Sequence, residues 1–362
     1  LVVTYGIVSD FRLTTPYFPS SLGASKRNAH QGDFMSYFNN LVVFAGILFF
    51  FLNSGASNKI GLVLDKGGKD DKSFNSAAYQ GALKAEKEFG IELKYVEAMD
   101  SNALENLHRS FARRGFDLVI GVGFAQAEAV AKVAKQFPNT KFALIDGEVI
   151  APNVKSLLFE EHEGSFLVGA LAALKSPNEK IGFIGGMDIP LIRRFQMGYE
   201  AGAKHINPKV QTVTNYIGVS GEAWNNPSKA KELALSQYSQ KVDVIFVAAG
   251  ASGIGVFDAA EERKKLAIGV DSNQNWMKPG FVLTSMLKRV DVAVFDTIKE
   301  VKESKFQAGV VRFGLRNQGI DYALDQHNNK LVTAADRTRL EALKKDILSG
   351  KIKVPDFYKV RK

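Results

Sequence analysis

A chain of 362 residues with a net charge of +9 and no cysteine is too long for one ordinary core and suits two packed lobes. The lack of cysteine excludes a disulfide frame, thiolate metal sites, a cysteine nucleophile and the acylated cysteine of a bacterial lipoprotein. The five histidines are widely separated, which leaves no metal-site spacing, and basic residues mix with acidic ones rather than forming the stripe a nucleic acid needs.

In chain order, the first feature is "LVVFAGILFFFL", residues 41–52, followed by the small residues "NSGAS". This matches the apolar and cleavage regions of a secretory signal, and it is short for a membrane span. A basic stretch directly upstream is missing, so an uncleaved membrane anchor is the alternative reading. Residues 1–58 are taken as a leader, which predicts a periplasmic protein exported by a signal peptide or held by an anchor.

From Lys59 onward, β-rich runs alternate with helical patterns. They are "IGLVLD", a helix near 76–89, "IELKYVEA", a helix near 103–113, "DLVIGVG", a helix near 125–136, and "KFALIDG". Such alternation implies βαβ crossovers and a parallel sheet with helices on both faces. A second copy follows at an offset of 121, carrying Lys59-Ile60-Gly61 onto Lys180-Ile181-Gly182, Phe74 onto Phe195, and Gly81-Ala82 onto Gly202-Ala203. "DLVIGVG" corresponds to "DVIFVAAG" and "FALIDG" to "LAIGVDS", which pairs Asp146 with Asp271. Two Rossmann-like lobes joined by three crossovers are expected: one of 59–163 plus 286–310, the other of 164–285 plus 311–350, with 351–362 as a tail.

Ligands of open parallel sheets bind beyond the carboxyl ends of the strands. The loop "KGGKDDKSFN", 66–75, then lines the cleft between the lobes, with Asp146 and Asp271 at strand ends on opposite sides. No stretch matches a phosphate loop, and Asp70 and Asp71 would repel a phosphate at the helix start. Gly121, Gly123, Gly250 and Gly253 read as tight strand-to-helix turns, Gly250 being counted also as ligand-facing. No serine elbow or histidine partner pattern points to a catalytic residue, although paired carboxylates leave a glycosidic hydrolase or phosphorylase open. Carboxylates, amides and an aromatic ring in a duplicated cleft are equally what a neutral polyhydroxyl ligand with a ring requires.

The segments "DKGGKDDKSFNSAAYQG", "FEEHEGSFLVGALAAL", "IGFIGGMDIPLIRRFQMGYEAG", "WNNPSKAKELA", "VIFVAAGASGIGVFDAA" and "IGVDSNQ" together resemble the basic membrane protein family. These are purine-nucleoside-receptor-like (PnrA-like) solute-binding proteins of ABC importers with the type I periplasmic-binding-protein fold. The resemblance implies a monomer that uses no cofactor, is not an enzyme, holds a nucleoside such as guanosine, inosine or adenosine, and delivers it to an ABC permease. A ligand sensor is the runner-up among binding proteins. By the same resemblance Asp71 is the acid of the opening loop, Phe74 the stacking ring and Asn75 the amide. Phe246 is a second ring, Asp146 a carboxylate of the first lobe, Asp271 the ribose carboxylate and Lys288 the basic residue after the "TSML" strand.

Each assignment has a plainer rival. Phe74 could staple its own helix, Asp70 and Asp71 could charge a helix N-terminus, Phe246 could be a buried strand residue, and Lys288 a solvated strand end. Phe195 is read as core; Arg193 and Arg194 either face the cleft or bridge the lobes, or form surface ion pairs, the last reading being slightly favoured. Trp224 is read as part of a loop that caps a helix through Asn225 or Asn226, with a stacking role as the less favoured alternative.

Overall fold

The run "KIGLVL" forms β1 (Lys59–Leu64), buried at every position but the first, as befits a strand covered on both faces in a parallel sheet. The computed structural model describes residues 57–98 and 100–360. The apolar run at 41–52 and the leader as far as residue 56 lie outside them. Among the described residues no helix is long and apolar enough to cross a membrane.

Alternation continues through α1 (Phe74–Phe89), β2 (Glu92–Glu97), α2 (Leu104–Arg113), β3 (Leu118–Val122), α3 (Ala127–Gln136), β4 (Lys141–Ile145) and β5 (Val154–Phe159). The second series is α4 (Glu161–Leu174), β6 (Lys180–Met187), α5 (Pro190–Ile206), β7 (Gln211–Gly218), α6 (Pro227–Ser239), β8 (Val244–Ala248), α7 (Gly253–Arg263), β9 (Leu266–Asp271) and β10 (Val282–Lys288). Then come α8 (Val290–Lys302), β11 (Gly309–Phe313), β12 (Ile320–Tyr322), α9 (Ala334–Leu348) and the short α10 (Phe357–Val360).

Helix ends follow local chemistry. Gly90 closes α1 in the left-handed conformation, its N–H reaching Glu86 O. Asn226 caps α6 by accepting from Lys229 N–H, with Pro227 in the first turn. Thr333 and Asp336 form a reciprocal capping box on α9.

The strands pair into two six-stranded sheets, ordered β11-β5-β4-β3-β1-β2 and β12-β10-β9-β8-β6-β7. Among the described residues only the edge pair β10/β12 is antiparallel. Strand order therefore reverses between β1 and β3 in the first sheet and between β6 and β8 in the second. The chain passes to the second sheet after β5, returns to the first through α8 and β11 after β10, and enters the second again for β12. Strand β10 runs whole to Lys288 in the second sheet, so the expected boundary at 285/286 falls inside it. Both lobes have the α/β parallel architecture expected from the alternation.

The repeated Gly-Ala pairs explain how each lobe packs its helices. A Cβ on Gly81 would strike the backbone carbonyl of Asp291 on α8, and one on Gly202 that of Phe166 on α4. Both positions let two helices cross backbone to backbone, so the 121-residue offset preserves a contact as well as a pattern. Gly202→Ala must push α4 and α5 apart, at a cost on the order of 1–3 kcal/mol. A denaturant midpoint equal to the parent's would refute this close crossing.

Candidate ligand-binding site

Two glycines, Gly67 at φ +121° and Gly68 at φ +68°, turn the chain sharply after β1, a conformation open to residues without a Cβ. Asp71 then receives the N–H groups of Ser73 (2.8 Å), Asn75 (2.9 Å) and Ser76 (2.9 Å). Its carboxylate thus satisfies donors that the start of α1 leaves free. The Asn75 side chain donates to Asp71 (3.0 Å) and accepts from Asp65 N–H (2.8 Å). Asp71 and Asn75 line the cavity, yet most of their bonding capacity builds the loop that carries Phe74.

Between the facing carboxyl edges of the sheets lies a space of about 580 Å³, its open mouth included, within the range of small-molecule sites. The first lobe contributes Asp65, Lys66, Asp71, Phe74, Asn75, Phe124 and Asp146; the second contributes Phe195, Trp224, Gly250, Asp271 and Lys288. Seven of the eight residues expected from sequence therefore meet here. Gly250, at φ +57°, would with a Cβ crowd the Trp224 carbonyl at 3.2 Å.

Phe246 is the exception. It is fully buried on β8, packed on Tyr199 (5.3 Å between ring centres) and Phe183 (5.7 Å), and it does not line the cavity. Its strand is covered on both faces, so its side chain points into the core. Three aromatic residues stand where a second ring was sought. Phe195, read as core, packs against Phe246 and also walls the cavity; its repeat relation to Phe74 was the available signal. Phe124 follows β3, and the Trp224 ring packs against Gly186, where a Cβ would collide with it.

Asp146 and Asp271 end β4 and β9 with φ of 65° and 64°, a left-handed region that non-glycine residues seldom adopt outside constrained sites. Lys288, 2% exposed, sits among them: its Nζ lies 2.6 Å from Asp146 Oδ2 and 3.1 Å from Glu161 Oε1. The same ammonium lies 5.0–5.6 Å from the ring centres of Phe159, Phe74 and Phe195. Burial pushes Asp146 up to about 7 against the pull of Lys288, with Glu161 and Asp271 adding to the rise. Burial also lifts Asp271 to about 6, while Lys288 and the Ser73 hydroxyl hold it down. Burial works against the Lys288 charge, but Asp146, Glu161 and Asp271 together keep the ammonium above its ordinary value.

A folded-state pKa above the unfolded one gives stability that is complete below the unfolded value, near 3.8, and is lost as pH climbs through the folded value. The ligand-free protein should therefore lose stability from these two groups between about pH 4 and 7. In melting curves from pH 5 to 8, the Asp146→Asn/Asp271→Asn variant should show a flatter slope than the parent. An identical slope would remove these carboxyls as its source.

Arg194 corrects the surface reading. Only 2% exposed, it bonds Glu161 (2.8 Å), Asp356 (2.8 and 3.1 Å), Glu160 and the carbonyl of Phe159. It thereby ties α5, the first crossover and the C-terminal segment together. Arg193 does form a surface pair, with Asp188. Glu160, His162 and Asp356 offer three potential metal-ligand atoms within 4.8 Å of one another, but Arg194 already bonds both carboxylates, so a metal would compete with it.

Two parallel α/β lobes that exchange chain three times and face each other across a carboxylate- and aromatic-lined space define a two-lobed solute-binding protein. Residues 58–357 match the family model for the PnrA-like ABC transporter substrate-binding protein. The chain belongs to this family and is an ABC transporter substrate-binding protein, not an enzyme. It is 32% identical to the ABC transporter nucleoside-binding protein BmpA of Lactococcus lactis over 331 residues, covering 83% of this chain and 92% of that protein. An uncharacterized lipoprotein of Pyrococcus horikoshii is 34% identical over 284 residues, 74% of this chain and 69% of the relative. Among solved structures, an ABC transporter solute-binding protein from Aeropyrum pernix K1 superposes with a TM-score of 0.76 at 31% identity, covering 82% of this chain and 94% of that one.

Proposed function

We propose that the cavity holds a purine nucleoside and that closure of the lobes presents it to a membrane permease. The observation that carries this reading is the pair Asp146 and Asp271 around the buried Lys288, beside the rings of Phe74 from the first lobe and Trp224 from the second. Carboxylate oxygens accept from ribose hydroxyls, an ammonium donates to ring or hydroxyl oxygens, and flat aromatic walls stack on a heterocycle. The nucleoside-binding name of the Lactococcus relative supports the ligand class. The lipoprotein name of the Pyrococcus relative supports a place outside the cytoplasm, near the transporter.

Calorimetry with guanosine, inosine, adenosine, guanine and guanosine monophosphate tests the proposal. Nucleosides should bind far better than the free base, since each hydroxyl bonded to a charged acceptor adds roughly 1.5–3 kcal/mol. The monophosphate should bind poorly beside Asp71, Asp146 and Asp271. Phe74→Ala and Trp224→Ala should each weaken the nucleoside by about 1–3 kcal/mol. Equal affinity for guanine and guanosine would overturn the ribose assignment, and no binding of any nucleoside would overturn the ligand class.

A further inference from the structure

Building on the nucleoside reading of the cavity, we infer that Ser73 is a positioning residue, which from the first lobe takes one oxygen of the second lobe's Asp271 carboxylate and aims the other at the ligand. Ser73 is fully buried, and its Oγ lies 2.6 Å from Asp271 Oδ2 and 3.3 Å from the Val270 carbonyl. A hydroxyl has one proton to give, and the shorter contact, to a charged acceptor, is the stronger. Return bonds flank it: Ser272 Oγ donates to the Ser73 carbonyl (3.0 Å), and Gln274 Nε2 donates to the Lys72 carbonyl (3.0 Å). Gln274 is itself held, its Oε1 accepting from Val270 N–H and its own N–H bonding Ser285 Oγ. Residues on both sides of the seam, Lys72 at φ 58° and Asp271 at φ 64°, take the left-handed conformation. The seam is thus a fitted contact between lobes, and one of its acceptors belongs to the cavity wall.

Asp271 carries two acceptor oxygens. With Oδ2 committed to Ser73, the carboxylate cannot rotate freely, and Oδ1 keeps a set direction toward whatever fills the cleft. Lobe closure and hydroxyl recognition then share one hydrogen bond. Without the Ser73 hydroxyl, Asp271 still faces Lys288 from β10, Asp71 from the loop before α1, Glu161 from α4 and Asp146 from the end of β4. Its charge would lose one stabilising donor, and its titration should move upward.

The test uses the full chain with Ser73→Ala, with Ser73→Thr, which keeps the hydroxyl, and with Ser73→Val, which has threonine's shape without it. Because the chain has no native cysteine, spin labels at Glu128→Cys on α3 and Ser228→Cys on α6 report the distance between lobes. In ligand-free protein, the Ala and Val variants should shift to longer distances while the Thr variant stays with the parent. Carbon-13 titration of the Asp271 carboxyl should move upward in the Ala and Val variants alone. Guanosine affinity should fall roughly tenfold with Ser73→Ala, recover with Ser73→Thr, and lose part of its preference over 2′,3′-dideoxyguanosine. Unchanged distances together with an unchanged Asp271 titration would overturn the role of Ser73, as would a Val variant indistinguishable from the Thr variant. If the parent binds no nucleoside, the ligand proposal fails, and the two ligand-free measurements still decide for or against Ser73.

Discussion

Lys288→Met should lower the melting temperature by on the order of 10 °C at pH 8, lower it less at pH 5, and remove measurable nucleoside binding. The lysine is enclosed by Asp146 and Glu161 and acts on Asp271 as well. Removing it leaves three buried carboxyl groups without their shared cation, a loss that typically costs about 3–5 kcal/mol. Protonation of Asp146 and Asp271 is the remaining relief, so the deficit must grow as pH rises through the elevated pKa values of these two and shrink as it falls. Differential scanning fluorimetry at the two pH values checks this directly. A deficit independent of pH would show that Lys288 acts through packing on the three Phe rings rather than through charge.

The second large effect is expected from Arg194→Leu. Glu160, Glu161 and Asp356 would each lose a buried partner, again on the order of 3–5 kcal/mol. Here the consequence is also local, because the bonds to Asp356 anchor the C-terminal segment, and Tyr358 lies with its ring 5.3 Å from the guanidinium. Brief trypsin digestion should clip the variant at Lys353 or Lys359 well before the rest of the fold, and denaturant unfolding should show the stability loss. Adding Asp356→Asn should cost less in the variant than in the parent, since the two residues share one network. Additive losses would mean that Arg194 and Asp356 are not energetically coupled.

What could be read beforehand divides along a physical line. The two lobes were legible because each strand and helix follows its own short period and the unit recurs, at an offset of 121 through its first strand, loop and helix and of 125 at Asp146 and Asp271. Asp146 and Asp271 were legible because the repeat places both at strand ends, where parallel sheets gather ligands. Phe246 misled because a strand covered on both faces has no polar alternation to reveal which way a side chain points. Trp224 and Phe124 lie in 3₁₀ turns after strands, where no periodicity marks a wall. Arg194 was missed since its partner Asp356 lies 162 residues away, and no local pattern announces a contact made when the chain end folds back. The loop 66–75 was legible as part of the cavity lining, but Asp71 and Asn75 spend most of their bonds on its shape.

The buried ammonium of Lys288, unlike that of Lys66, which is half-exposed and paired with Glu222, has a consequence for how such a protein can arise. Phe74 and Phe195 are repeat mates, as are Asp146 and Asp271, and all four gather about Lys288. Two identical half-chains joined face to face would have to place there either no lysine or two, and two would repel each other in a space this small. One positive charge between duplicated acids and rings demands that the halves differ. A single chain that carries both halves with different residues meets that demand.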